Sequence, residues 1–189
     1  MLKPASPMDR YEPLRQRTIA LVGLMGVGKS SVGRRLANAL GLPFRDADTE
    51  VEVAAGRSIP EIFADLGEPA FRDGERRVIA RLLEGPAHVL ATGGGAFMSL
   101  ETRTLLKARA ITVWLKTDLE VLARRVARKD NRPLLTGKDP LEVLSALAEA
   151  RYPAYAEADI TVETGDSAHH VTVAQVLEAL TAHVGERAE

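Results

Sequence analysis

A short stretch of the sequence has glycines, a lysine and a serine at the spacing of a phosphate-binding loop. The stretch GLMGVGKS, residues 23–30, fits G-x-x-x-x-G-K-[ST] and follows the apolar run TIALV. Glycines leave room for successive backbone N–H groups to curve around a phosphate, and the following helix points its positive end at the same anion. Lys29 can bridge the β- and γ-phosphates, and the Ser30 hydroxyl can join a Mg²⁺ shell. The pattern predicts a nucleotide site, with a plain strand-to-helix turn as the alternative.

Two aspartates suggest where an acceptor of the phosphoryl group would bind. Asp46 and Asp48, in the sequence DAD, end a strand candidate at 42–48. Ligands of open α/β sheets bind at the carboxyl edge of the strands, and a spacing of two puts both carboxylates on one side of an extended chain. One carboxylate would then lie near the metal and the other near the hydroxyl of the acceptor, so each would have a separate role. The alternative is that Asp48 caps a following helix.

Three arginines and a run of glycines are further candidates for ligand contacts. Arg72, in FRDGE, is expected in the first turn of a helix, where a cation opposes the helix dipole and calls for an anion; a surface salt bridge is the alternative. Glycines 93–95, in TGGGAF, cost backbone entropy that close approach to a ligand would explain. Arg132, in NRPLL, and Arg151, in RYPAY, could hold a carboxylate or phosphate through two parallel hydrogen bonds.

Apolar runs alternate with helical patterns along the chain. The runs are continuous, as expected for strands covered by helices on both faces of a parallel sheet. They span 18–24, 88–94, 111–116 and 158–164, with the weaker fifth candidate at 42–48. Strands that alternate with helices predict a doubly wound α/β domain.

Helix boundaries and one exceptional segment are also visible in the sequence. Capping-box spacing at Ser58–Glu61 and Thr117–Glu120, and a first-turn proline in DPLE at 139–142, predict helix starts. Gly41 is expected to end the helix that follows the glycine-rich loop. The basic segment 124–139 is broken by proline and glycine, so we expect a mobile lid there.

Composition limits the classes of function. A chain of 189 residues with 46% hydrophobic and 27% charged residues is expected to form one globular domain. A net charge of -1 gives no global field for nucleic acid, and no apolar run approaches membrane-spanning length. The absence of cysteine excludes disulfides and fits a reducing cytoplasm. The four histidines show no metal-site spacing and are expected at the surface. Residues 1–17 are expected to be a flexible extension, with a packed arm as the alternative.

Taken in order, these motifs resemble the shikimate kinase family from Gly23 to Tyr155. The resemblance implies a P-loop NTPase-type, five-stranded parallel sheet flanked by helices over residues 18–189, with a substrate-binding subdomain at about 47–75 and the lid. It implies transfer of the γ-phosphoryl group of ATP to the 3-hydroxyl of shikimate, in chorismate and aromatic amino-acid biosynthesis. Mg²⁺ is the implied cofactor, and the enzyme is expected to be a cytoplasmic monomer that binds ATP and shikimate, without nucleic acid or membrane.

The resemblance also implies roles for individual residues on the nucleotide side. The ATP phosphates are expected on the loop residues Gly26, Val27, Gly28, Lys29, Ser30 and Ser31. Ser30 would ligate Mg²⁺ directly and Asp46 through a water molecule. Arg132 would close over the phosphates and act with Lys29 in catalysis. Either Arg125 or Arg128 would stack on adenine.

On the acceptor side, the resemblance implies a site built around one carboxylate. Asp48 would bind the acceptor hydroxyls and act as base or as positioning group. The shikimate ring and its carboxylate would be held by Arg72, Gly94, Gly95 and Arg151.

Two other functions remain compatible with the motifs. A kinase for another small hydroxy acid, such as a gluconate kinase, would also use arginine and aspartate. A non-catalytic nucleotide-binding protein could use the lid as a switch. The third strand, HVLAT, lacks the aspartate that ends the corresponding strand of ordinary P-loop ATPases, and no N-K-x-D motif is evident. Both absences disfavour a generic ATPase or GTPase and leave the metal-side carboxylate role to Asp46.

Overall fold

The protein is built on one sheet of five parallel strands, which confirms the expected fold class. The computed structural model describes residues 11–128 and 138–186. The strands run in the order β2-β3-β1-β4-β5. Their bounds are β1 Thr18–Val22, β2 Phe44–Asp46, β3 Val89–Ala91, β4 Ala110–Thr117 and β5 Ile160–Thr164.

Eight helices connect or flank the strands in the described part of the chain. They are α1 Glu12–Arg15, α2 Lys29–Leu40, α3 Ala47–Ala55, α4 Ile59–Glu84, α5 Leu100–Arg109, α6 Leu119–Ala127, α7 Pro140–Tyr155 and α8 His169–Glu186. A 3₁₀ turn at Ala96–Met98 precedes α5. The β1–α2–β2 and β3–α5–β4 crossovers run in opposite directions along the sheet, so right-handed connections put α2 and α5 on opposite faces. Because all five strands are parallel, their carboxyl ends lie at the same edge of the sheet, where the β1–α2 loop also lies.

Burial follows the position of each strand in the sheet. All five residues of the central strand β1 are buried. The edge strand β5 instead alternates, with Ile160, Val162 and Thr164 buried and the residues between them exposed. The expectation of continuous apolar strands therefore fails at this edge, because one side of β5 faces solvent.

Predicted helix boundaries agree with the structure at most positions. Ser58 and Glu61 form the expected capping box at the start of α4, and Gly41 ends α2 in a left-handed conformation. The box predicted to begin at Thr117 is wrong. Thr117 still belongs to β4, and Asp118 caps α6 by accepting from the backbone N–H groups of Glu120 and Val121.

Helix α4 consists of two helical segments that meet at a kink. It runs from Ile59 to Glu84, but Gly67 inside it has a non-helical backbone, with φ 81° and ψ 170°. The second segment begins directly after Gly67, a few residues earlier than the start expected at Phe71. Arg72 therefore lies about one turn from a helix N-terminus, close to the position expected from the sequence.

The N-terminal segment and the predicted lid are the two parts of the chain that were expected to be mobile. Residues 11–17 contain α1 and pack on the domain, with Tyr11 and Leu14 only 8% and 1% exposed. A flexible extension is therefore wrong for 11–17, and the packed-arm alternative holds there; residues 1–10 lie outside the described residues. The predicted lid, 124–139, overlaps the end of α6, and its part at 129–137 also lies outside the described residues.

The segment expected to be the substrate-binding subdomain, 47–75, consists of α3 and most of α4. These helices share a small apolar cluster of their own, made by Val51, Ile62, Phe71 and Val78. Within residues 11–128 and 138–186, no helix combines the length and apolar character needed to cross a membrane.

Candidate active site

The glycine-rich loop forms a concave backbone turn between β1 and α2. Gly26 and Gly28 have φ values of 81° and 97°, which side-chain-bearing residues rarely adopt. Lys29, the first residue of α2, folds its side chain back over the loop, and its Nζ donates to the carbonyl oxygens of Gly23 at 2.8 Å and Leu24 at 3.1 Å. The loop thus presents an ammonium group and a helix N-terminus at one place, which suits a polyphosphate.

A hydrogen bond joins this loop to the end of β2. The Ser30 hydroxyl donates to Asp46 Oδ2 at 2.6 Å. The other carboxylate oxygen, Asp46 Oδ1, accepts from the backbone N–H of Asp48 at 3.1 Å and caps α3. The helix cap suggested by the sequence therefore exists, and Asp46 makes it, not Asp48. The side chain of Asp48 is left to face the cleft.

Asp48 lies in an environment that disfavours its charged form. Burial by the surrounding protein, followed by repulsion from Asp46, raises the pKa of Asp48 above its ordinary value, although Lys29 and Arg72 act in the opposite direction. The two cations belong to different elements, Lys29 to the start of α2 and Arg72 to α4. A carboxylate with a raised pKa is better matched to proton transfer near neutral pH than an ordinary aspartate.

The three glycines after β3 are where the candidate residues meet. A Cβ on Gly93 would lie 2.6 Å from Glu75 Oε1 and 2.9 Å from Asp48 Oδ1. One on Gly94 would lie 3.1 Å from Arg151 Nη1, and one on Gly95 would lie 2.6 Å from Arg72 Cζ. Any side chain here would collide with these groups, so the glycines allow two carboxylates and two guanidinium groups to converge.

Arg72 is held by acidic neighbours on its own helix. Its Nη1 donates to Glu75 Oε2 at 2.7 Å, and its Nε lies 3.4 Å from Glu68 Oε1. Glu75 has only 3% of its side chain exposed, whereas 64% of Glu68 is exposed. Burial raises the pKa of Glu75, and Arg72 opposes the shift. The expected surface salt bridge is thus present, but its main partner is a buried carboxylate at the site.

Arg151 belongs to a second fixed unit, on α7. Tyr155, one turn further along α7, is fully buried and donates its hydroxyl hydrogen to the carbonyl oxygen of Gly94 at 2.5 Å. Burial raises the pKa of Tyr155, while the charge of Arg151 and its hydrogen bond to the tyrosine lower it. The hydrogen bond of Tyr155 connects α7 to the triple glycine and so fixes the position of Arg151 on the same helix.

A cleft of about 1060 Å³ joins the loop to the end of α6 and the segment before α8. Arg125 and Arg128 both line it, together with Asp166, which lies 3.6 Å from Arg125, and His169. Arg125 Nη2 donates to the carbonyl oxygen of Gly165 at 2.8 Å. Both arginines suggested for stacking on a base are therefore next to the cleft, and the choice between them stays open. Arg132 lies outside the described residues.

The prediction that all four histidines lie at the surface is wrong for His88. Its side chain is in the core, with the residue 4% exposed and Nδ1 2.9 Å from the carbonyl oxygen of Pro86, and burial lowers its pKa. His169 is exposed but lies beside the glycine-rich loop, with Nε2 3.8 Å from a Cβ placed on Gly28.

The comparison with known families decides between the remaining interpretations. The sequence model of the family described as shikimate kinase matches residues 25–181, most of the chain. The chain belongs to the shikimate kinase family. A shikimate kinase of Caulobacter vibrioides is 74% identical over 172 residues, which cover 91% of this chain and 86% of that relative.

Solved structures agree with this assignment. A shikimate kinase from Acinetobacter baumannii, solved in complex with shikimate, superimposes with a TM-score of 0.85 at 41% identity, covering 93% of this chain and 98% of that one. A gluconokinase from Sinorhizobium meliloti gives a TM-score of 0.60 at 20% identity, covering 92% and 95%. The gluconokinase shares the fold, and its low identity lends no support to the gluconate alternative.

For this shikimate kinase family member, the structure brings together most of the residues proposed from sequence. The cleft is lined by loop residues 26 and 28–31, by Asp46 and Asp48, and by Gly93 and Gly94. Arg151 and Arg72 approach the same glycines, at Gly94 and Gly95, whereas Val27 is buried in the core. Sequence reasoning missed Glu75 and Tyr155, although both stand inside quoted motifs. Their helical spacing from Arg72 and Arg151 was the available signal, since residues three or four apart share a helix face.

Proposed function

We propose that this chain transfers the γ-phosphoryl group of ATP to the 3-hydroxyl of shikimate, as a step of chorismate and aromatic amino-acid biosynthesis. The observation that carries the proposal is the convergence of Asp48, Arg72 and Arg151 on glycines 93–95, beside a phosphate-binding loop. A small hydroxylated carboxylic acid matches this set, since arginines can pair its carboxylate while an aspartate accepts from a hydroxyl. The family membership supports the same acceptor.

The loop side of the cleft is suited to the ATP phosphates. Backbone N–H groups of residues 26–31 would donate to the phosphate oxygens, with Lys29 bridging the β- and γ-phosphates. In this structure, Lys29 Nζ donates to the carbonyl oxygens of Gly23 and Leu24. Binding of ATP would replace part of these internal hydrogen bonds with charge-assisted hydrogen bonds to the phosphates. The Lys29 ammonium group would then counter the negative charge that builds up during transfer.

The donor set near the loop fits a magnesium ion. Ser30 Oγ and Asp46 Oδ2 lie 2.6 Å apart, and both are hard oxygen donors. No group of three or more His, Cys, Asp or Glu side chains suited to a metal occurs in the part of the chain that the structure describes. Mg²⁺ commonly uses one or two protein oxygens and takes the rest from phosphates and water, so a two-residue site suffices. When bound, the ion would neutralise charge on the transferred group.

The acceptor side would hold shikimate in line with the γ-phosphate. Arg72 and Arg151 would pair the carboxylate, and Gly94 and Gly95 would give the ring room against the backbone. Asp48 would then accept a hydrogen bond from the reacting hydroxyl, and its raised pKa supports a part in proton removal as well as in positioning. By the resemblance alone, Arg132 is assigned to the phosphates. We further propose a cytoplasmic monomer.

The experiment measures ADP release and phosphorylated product with shikimate, with gluconate and without an acceptor. We expect turnover with shikimate only. Asp48→Asn should lower that turnover by about 10²–10⁴-fold while ATP affinity stays within about twofold. Lys29→Met should impair ATP use. Asp65→Asn is the matched control. Asp65 lies on α4, next to the helix α3 that carries Asp48, but it forms an exposed ion pair with Arg57, 3.2 Å away. Preferred turnover of gluconate, or tight ATP binding without any turnover, would disprove the proposal.

A further inference from the structure

A second cavity lies away from the active-site cleft, between α3 and α4. It has a volume of about 650 Å³, within the range of small-molecule pockets. Val51, Ile62, Phe71 and Val78, which form the small apolar cluster of these helices, line it. None of the residues proposed for ATP or shikimate is among its described lining residues.

Gly74 is part of the lining of this cavity. It lies between Phe71 and Val78 on one face of α4, at the i, i+3, i+7 spacing of a helix stripe. Its φ is not positive, and a Cβ placed on it would meet nothing within 4 Å. A helix-interior glycine destabilises a protein by roughly 0.5–1 kcal/mol relative to alanine. Neither backbone conformation nor packing in the free protein requires a glycine here, whereas a ligand in the cavity would.

The charged residues that line the cavity are all arginines. Arg57, Arg77 and Arg81 line it, and no aspartate or glutamate is found among its described lining residues. Each arginine has a carboxylate partner outside the lining, as in the pair Arg77 Nη2–Asp73 Oδ2 at 3.0 Å. Arg77 is 70% exposed in that pair, and exposed pairs contribute little, so a ligand can compete for the guanidinium groups.

We propose that this cavity binds a small aromatic carboxylate. The apolar residues and Gly74 would receive a flat ring system, and the arginines would pair the carboxylate at the rim. Charge complementarity selects an anion over a neutral ring, and the empty space above Gly74 selects a planar group. The site is separate from the cleft, because Arg72 and Glu75 face glycines 93–95 while Gly74 faces α3.

The test is calorimetric titration of the full chain with 2-naphthoate, with neutral 2-naphthamide as the charge control. It needs no kinase activity, so its outcome is independent of the proposed function. We expect a Kd of about 0.1 mM for naphthoate and at least about tenfold weaker binding of the amide. No binding of naphthoate at several times that concentration, or equal binding of the amide, would overturn the proposal.

Two variants locate the binding. Gly74→Leu places a bulky side chain in the cavity and should weaken naphthoate binding by at least about tenfold. Leucine favours helix, so the fold should hold, as circular dichroism would verify. Gly185→Leu is the matched control, since Gly185 is also helical with nothing within 4 Å. The double change Arg77→Gln with Arg81→Gln should also weaken binding. Arg109→Gln should not, because Arg109 is exposed at the end of α5 and does not line the cavity. Unchanged affinity in Gly74→Leu, or a loss in Arg151→Gln instead, would place the ligand elsewhere and refute the site.

Discussion

Glu75 lies buried behind Arg72 and fixes its guanidinium group beside Gly95. Arg72 Nη1 donates to Glu75 Oε2 at 2.7 Å, while Glu75 Oε1 is buried and has no hydrogen-bond partner among the described residues. Burial raises the pKa of Glu75, with repulsion from Asp48 adding to it and Arg72 acting against it. A buried acid with a raised pKa is costly to ionise, so its presence is better explained by positioning than by stability.

The first prediction separates this positioning role from a structural one. Glu75→Ala should raise the KM for shikimate about tenfold, because Arg72 loses its buried partner, while kcat and the KM for ATP change by less than about threefold. Glu75→Gln retains an acceptor for Arg72 and should recover most of the loss. Glu68→Gln is the control, because Glu68 contacts the same arginine at 3.4 Å but is 64% exposed. Equal effects of the alanine change on all three constants would contradict the positioning role.

The second prediction concerns the pH dependence of stability. The pKa of Asp48 in the folded protein is above its ordinary value of 3.8, so ionisation of Asp48 costs folding free energy once the pH exceeds that value. Asp48→Asn removes this cost. The free energy of unfolding of the variant, minus that of the wild type, should therefore be positive at pH 7 and shrink as the pH falls towards 4. Urea unfolding at several pH values measures the difference; a difference that grows on acidification would be the wrong sign.

The fold was predictable where one residue pattern has one structural outcome. The buried strand β1, the loop with Lys29, and the end of α2 at Gly41 follow from local rules about burial, phosphate loops and left-handed caps. The kink at Gly67 was missed because buried residues occur on both sides of this glycine, and their packing, not the local sequence, sets the bend. The edge strand β2 is only three residues long, which explains why its signal was weak.

The candidate site was predictable as a set of residues and not as a geometry. Asp48, Arg72 and Arg151 are in separate motifs, and only the sheet order brings them to the same three glycines. The buried positions of Glu75 and Tyr155 depend on how α4 and α7 rotate about their axes against the sheet. That rotation is set by long-range packing, which a single sequence does not display.

The third prediction concerns the turn that follows the triple glycine. Arg103 Nη1 donates to the carbonyl oxygens of Phe97 at 2.8 Å and Met98 at 3.3 Å, and its Nε lies 3.3 Å from Glu157 Oε2. Arg103→Lys keeps the charge but loses the planar set of donors. We expect kcat/KM for shikimate to fall about tenfold, with the KM for ATP unchanged.

The matched control for Arg103 is Lys107→Gln. Lys107 contacts the same Glu157 at 3.6 Å but donates to neither turn carbonyl, so its loss should leave kcat/KM within about twofold. A comparable loss in both variants would assign the effect to Glu157 and not to the turn.

The fourth prediction tests whether the arm at residues 11–17 contributes to the fold. Leu14 is 1% exposed and belongs to the main core cluster, so Leu14→Ala leaves a cavity as well as losing buried apolar surface. We expect the free energy of unfolding to fall by about 2–5 kcal/mol, measured by denaturant titration at pH 7. Leu100→Ala, at a leucine that is 67% exposed, should change it by less than about 0.5 kcal/mol. An equally small effect at Leu14 would mean that the arm is detached in solution and that the core does not depend on it.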